Sequence, residues 1–79
     1  MPSAAKILSG MRNNPRNWRI EDLKVLADRH GINHDQTGSH VTFRHQVAGR
    51  LTVPADRPIR PVYVRKFVQL VDTAIEEEQ

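Results

Sequence analysis

Hydrophobic positions recur at two periods along the chain, and the change of period divides it. Ala4, Ile7, Leu8 and Met11 fall three and four apart, so Ser3 to Met11 reads as a short helix capped by Ser3. Asn13-Asn14-Pro15 breaks it. Ile20, Leu23, Leu26 and Ala27 form one stripe, which predicts a second helix over Trp18 to His30. Glu21 and Asp22 sit in its first turn, where the helix dipole favours anions, and Gly31 supplies the stop. The period then falls to two. Val41 and Phe43 alternate with His40, Thr42 and Arg44 over a strand from His40 to His45. Leu51 and Val53 mark a strand over Arg50 to Val53, and Ile32 to Gln36 is a further strand. Thr37-Gly38-Ser39 and Gln46 to Gly49 are the turns between them. Pro54 to Pro61 is a loop with three prolines. Val64, Phe67, Val68, Val71, Ala74 and Ile75 then form a stripe that predicts a last helix over Val62 to Glu77. Pro61 fits its first position, where a missing N–H costs nothing.

The order helix, helix, strand, strand, strand, helix implies an α+β fold. The expected architecture is a small two-layer sandwich, a three-stranded antiparallel sheet with helices on one face. Val41, Phe43, Leu51, Val53, Phe67 and Val71 should share its core, and the other sheet face is left open. The length of 79 residues allows a single domain, with residues 1–13 a short N-terminal helix and turn and 14–79 the body. Two domains, a barrel or a Rossmann sheet with its own cofactor cleft are excluded, because so short a chain buries only a thin core. The absence of Cys excludes a disulfide framework and a thiolate metal site, and fits a reducing compartment. No apolar signal core and no run near the roughly 20 apolar residues of a membrane span is present, so the expectation is a soluble, cytoplasmic protein.

Charge sharpens the picture. All 12 Lys and Arg lie in residues 1–66 against five acids, whereas residues 67–79 hold Asp72, Glu76, Glu77 and Glu78 and no cation. A body with that surplus favours a polyanion, most simply nucleic acid. The plainer alternative is a solvated surface with an acidic tail. Arg57, Arg60, Arg65 and Lys66 gather at the start of the last helix, the wrong sign for its dipole. A phosphate among free N–H groups and these cations would relieve the mismatch, and salt screening would tolerate it without one.

His40 shares a face with Thr42 and Arg44, opposite Val41 and Phe43, and therefore points outward beside a glycine turn. An open imidazole can move protons near neutral pH, and Arg44 can hold a phosphate, although most exposed histidines do neither. His30 ends a helix, His34 lies in the first strand, and His45 has the parity of the packed face. None of the four has metal-ligand spacing with carboxylate support, so no metal site is expected. Trp18 and Tyr63 can stack on bases or sit half-buried in a core, the commoner role for such rings. No nucleophile triad and no phosphate loop is present, and Asp22 and Asp28 do not form a carboxylate pair.

Several segments resemble one family. Gly38-Ser39-His40-Val41-Thr42-Phe43 resembles the glycine-serine-histidine strand of the HicA toxin endoribonucleases. Thr52-Val53-Pro54 resembles the family's third strand, and Ile59-Arg60-Pro61-Val62-Tyr63-Val64-Arg65-Lys66-Phe67 the lead-in to its last helix. Asn14 to Leu23 resembles the start of a longer-headed branch, so the resemblance spans about residues 14–72. It implies a double-stranded-RNA-binding-like fold, cleavage of mRNA without a cofactor, and neutralisation by a HicB-type antitoxin. It carries a catalytic role onto His40 alone. Thr37 stands where many members have a basic residue or glycine, and Ala55-Asp56 where many have a histidine, so no second histidine is assigned. RNA supplies its own nucleophile, the 2′-hydroxyl, so a base plus cations suffices. On that basis His40 transfers the proton and Arg44 stabilises charge. Arg60, Arg65 and Lys66 hold flanking phosphates, and Ser39 orients His40 or fixes the turn. The alternatives are a non-catalytic RNA-binding module of the same fold and a protein-interaction domain.

Overall fold

The computed structural model describes residues 3–78. Six elements follow in the expected order: α1 (Ala4–Asn13), α2 (Ile20–Arg29), β1 (Asn33–Thr37), β2 (His40–His45), β3 (Gly49–Pro54) and α3 (Pro61–Glu77). The strands form one antiparallel sheet in the order β1-β2-β3, so β2 is central. α2 lies against β1 and α3 against β3, while α1 packs chiefly on α2 and α3. The fold is thus the expected α+β arrangement of a three-stranded antiparallel sheet with helices.

Local chemistry sets the ends of the elements. The Ser3 hydroxyl accepts from the Lys6 N–H at 3.2 Å and caps α1. α2 starts two residues later than the sequence predicts, because Trp18 is engaged elsewhere. Its indole N–H donates to the Asn14 carbonyl at 2.6 Å, its ring lies over Gly10, and its carbonyl accepts from Ile59 at 2.9 Å. The Arg19 N–H then donates to the Asp22 carboxylate at 3.0 Å and opens the helix. β1 is shifted by one residue from the expected strand. Ile32 is buried below it, at the α2–β1 link, with its N–H bonded to the Ala27 carbonyl at 2.8 Å.

One core joins the two layers. Phe43 on β2 and Phe67 on α3 are both fully buried and meet edge-on, with ring centroids 4.8 Å apart. Val41, Val53 and Val71 are equally buried around them, and Leu51 packs against the cluster half-buried. α1 belongs to this core rather than to a separate head, since it contributes buried Ile7, Leu8 and Met11. A bidentate Arg12–Asp72 ion pair ties its last turn to α3, and that hydrogen bond raises the guanidinium pKa above its ordinary value. Among the described residues no helix is long and apolar enough to cross a membrane.

Truncating Phe67 to Ala should cost about 3–5 kcal/mol, because the ring is wholly buried and its removal leaves a cavity against Phe43. Urea denaturation followed by circular dichroism measures the loss, and a change below 1 kcal/mol would mean that the two layers do not depend on this contact.

Candidate nucleic-acid interface

The register assigns every strand residue to a face. Thr37, His40 and Pro54 form one cross-strand row, Asp35, Thr42 and Thr52 the next, and Asn33, Arg44 and Arg50 the third. Directly paired residues share a face, so these nine lie on the side of the sheet away from Phe43. Seven of them are exposed, and Thr42 and Pro54 half-buried. The polar face predicted from the period of two is therefore an open surface.

His40 is the first residue of the central strand and is exposed. A two-residue turn, Gly38-Ser39, delivers it. Gly38 sits at the first central position with φ 59°, as a type II′ hairpin turn requires. The Ser39 carbonyl accepts from the Ala55 N–H at 2.7 Å, which pins the exit of β3 beside the turn. The Ser39 backbone carbonyl thus ties the turn that precedes His40 to the end of β3. The imidazole makes no hydrogen bond or ion pair among the described residues.

The other histidines are occupied. The His45 Nδ1 accepts from the Val47 and Ala48 N–H groups at 3.2 and 3.0 Å, so its ring closes the β2–β3 turn, with the ring proton on Nε2. His34 meets the Asp28 carboxylate at 2.9 Å and packs on Phe43 at 6.0 Å between centroids. His30 meets Glu78 at 3.3 Å. Among the described residues no three His, Asp or Glu side chains converge on a point that would hold a metal ion.

The structure distributes the expected cations over different surfaces. Arg44 is on the open face with His40 but four residues along the strand, about 13 Å at the backbone. Its guanidinium donates to Asp35 at 3.3 Å. Both side chains are largely exposed, so the pair is weak and leaves the guanidinium open to a competing phosphate. Arg60 is the residue before α3 and pairs with Asp56 at 3.5 Å. Arg65 and Lys66, adjacent in sequence, are turned about 100° apart by the helix and part company. Arg65 lines a hollow with Met11, Arg12, Pro15 and Val68, toward α1, whereas Lys66 lines a groove with Arg50 at the β3 edge. The start of α3 is a meagre anion site. Pro61 has no N–H, and the amides of Tyr63 and Val64 already bond the Arg60 carbonyl at 3.0 and 3.3 Å. The dipole mismatch is thus tolerated by exposure and screening rather than relieved by a nest of free amides.

Arg50 has no role in the sequence reading, yet it stands directly across from Arg44 on the same face. The signal was present in the hairpin. A strand beginning at Arg50 with Thr52 on its polar side fixes Arg50 opposite an outward residue of β2, but which one depends on the turn. Trp18 and Tyr63 are half-buried against the core, with the Lys66 ammonium 5.9 Å from the Tyr63 ring centroid. With Phe43 and Phe67 buried, the open face carries no aromatic ring except the imidazole of His40.

Comparison with family models, with curated proteins and with solved structures gave no match.

Replacing Gly38 with Ala should destabilise the domain by about 1–2 kcal/mol through the left-handed backbone alone, since a Cβ there meets nothing within 4 Å. A shift of the urea midpoint with an unchanged slope is the expected result, and wild-type stability would show that the turn relaxes at no cost.

Proposed function

We propose that this chain is a toxin endoribonuclease of the HicA type, which cleaves mRNA in the cytoplasm by acid/base chemistry and is neutralised by a HicB-type antitoxin. The observation that carries the reading is His40 itself: an exposed imidazole with both ring nitrogens unengaged, at the end of an open, polar sheet face. The resemblance of Gly38-Ser39-His40 and the following strand to that family supplies the rest.

The chemistry follows from the substrate. RNA holds a 2′-hydroxyl beside each phosphate. His40 accepts its proton, the 2′-oxygen bonds to phosphorus, and the bond to the 5′-oxygen breaks. The products are a 2′,3′-cyclic phosphate and a 5′-hydroxyl, the leaving oxygen taking its proton from solvent. The turn at Gly38-Ser39 positions the base, while Arg44, Arg60, Arg65 and Lys66 act on the substrate's phosphates. Phosphates remote from the scissile one contribute affinity and orientation rather than charge stabilisation at the reacting phosphorus.

A second reading, a non-catalytic RNA-binding module, draws on one specific observation. No carboxylate or carbonyl orients the His40 ring among the described residues, whereas catalytic imidazoles are usually held by such a partner.

His40→Ala separates the two. Cleavage of a single-stranded RNA should fall by about 100- to 10,000-fold, and growth inhibition on expression should disappear. The melting temperature should stay within about 2 °C, because the side chain is exposed. His30→Ala is the better control, since His45 closes a turn and His34 packs on Phe43. A folded His40→Ala protein that cleaves at the wild-type rate, or a wild-type protein that binds RNA uncut when free of antitoxin, would return the chain to the binding-module reading.

A further inference from the structure

We infer that Arg50 and Lys66 form a second phosphate site, in a groove at the β3 edge, which holds the RNA strand away from the scissile bond. The inference rests on the reading of the chain as RNA-binding. Three observations support it. Arg50 faces Arg44 directly across the ladder, a like-charge pair that opposes sheet stability. Asp35, the acid on that face, is already engaged by Arg44, and Arg50 has no acidic partner among the described residues. Arg50 also lines a groove of about 320 Å³ with Ala48, Leu51, Lys66, Gln69, Leu70 and Thr73.

The lining carries two cations, an amide and a hydroxyl, and no acid. Lys66 has no acidic partner among the described residues. Its ammonium lies near the Tyr63 ring. Two unneutralised cations from different elements, converging on one groove with no carboxylate in its walls, suit a phosphate anion.

Position decides which phosphate this is. Arg50 stands four residues along β3 from Pro54, the cross-strand neighbour of His40. That is about 13 Å at the backbone, too far for the groove and His40 to grip one phosphate. β3 is an edge strand, so nothing in the sheet separates Arg50 from α3. A single strand leaving His40 along the open face passes Arg50 and turns over the edge toward Lys66. The groove therefore binds a flanking phosphate of the same strand. It also joins Lys66, which lies off the sheet face, to the surface that holds His40.

The test uses His40→Ala as an uncleaving background and a fluorescein-labelled single-stranded oligoribonucleotide as the probe. Adding Arg50→Ala should weaken binding about fivefold near 100 mM salt. It should also make the slope of log affinity against log salt shallower by about 0.7, one released counterion. Arg50→Lys should restore the slope, which a packing role for the long side chain would not do. Arg29→Ala, at the end of α2 and outside the groove, should leave the slope alone. An unchanged slope in Arg50→Ala, or an equal loss in Arg29→Ala, would overturn the groove as a site. The wild-type protein assayed in parallel separates the two claims. Arg50-dependent binding without cleavage keeps the groove and removes the nuclease, cleavage with an Arg50-independent slope does the reverse, and no RNA binding at all removes both.

Discussion

The edge-on contact between Phe43 and Phe67 is the constraint on which the remaining geometry depends. Phe43 lies in the middle of the central strand and Phe67 in α3, and both are without solvent exposure. Phe43 fixes which face of β2 turns inward. Because side chains alternate, that one choice sends His40, Thr42 and Arg44 outward together. A slip of one residue would bury His40 and Arg44 and expose Phe43 and Val41, at a cost of several kcal/mol of lost apolar burial. The open polar face is thus a consequence of core packing.

The same contact explains why so small a domain keeps one whole sheet face free. Only one sheet face is needed for the core, since α2 and α3 cover it and α1 seals the far side with Ile7, Leu8 and Met11. Five of the six residues named from the sequence as sharing the core are fully buried, and Leu51 is half-buried at the edge strand. On the outer face the Thr42 and Thr52 hydroxyls bond each other at 3.1 Å. That pair occupies the middle of the surface beside Asp35 without apolar cover, with the two arginines at one end and the imidazole at the other.

Strand identity, the two turns and the outward direction of His40 were legible because a period of two and glycine-bearing turns are local signals. The start of α2 was not, since Trp18 is held by the Asn14 carbonyl, by Gly10 and by Ile59, contacts that no window over the helix contains. The cation cluster at α3 was legible as composition but not as geometry. Helical rotation parts Arg65 from Lys66, and only the tertiary fold shows that one faces α1 and the other the β3 edge. Arg50 escaped notice for a related reason. Its importance lies in what stands across the ladder, and cross-strand register is a property of two segments rather than one.

The approach of Trp18 to Gly10 carries a lesson for anyone seeking to stabilise the protein. Gly10 lies inside α1, where glycine gives up about 1 kcal/mol of helix propensity relative to alanine, and it is an obvious candidate for exchange. A Cβ there would stand 2.8 Å from the indole Cη2 and 2.9 Å from Cζ2. The indole is in turn anchored at its N–H, and the Trp18 carbonyl holds the lead-in to α3 through Ile59. A gain in α1 would therefore be offset by displacement of Trp18 and of the segment that leads into α3. Consensus-style helix optimisation, sound at most exposed glycines, would here trade a gain within one helix for a loss in the segment packed on it.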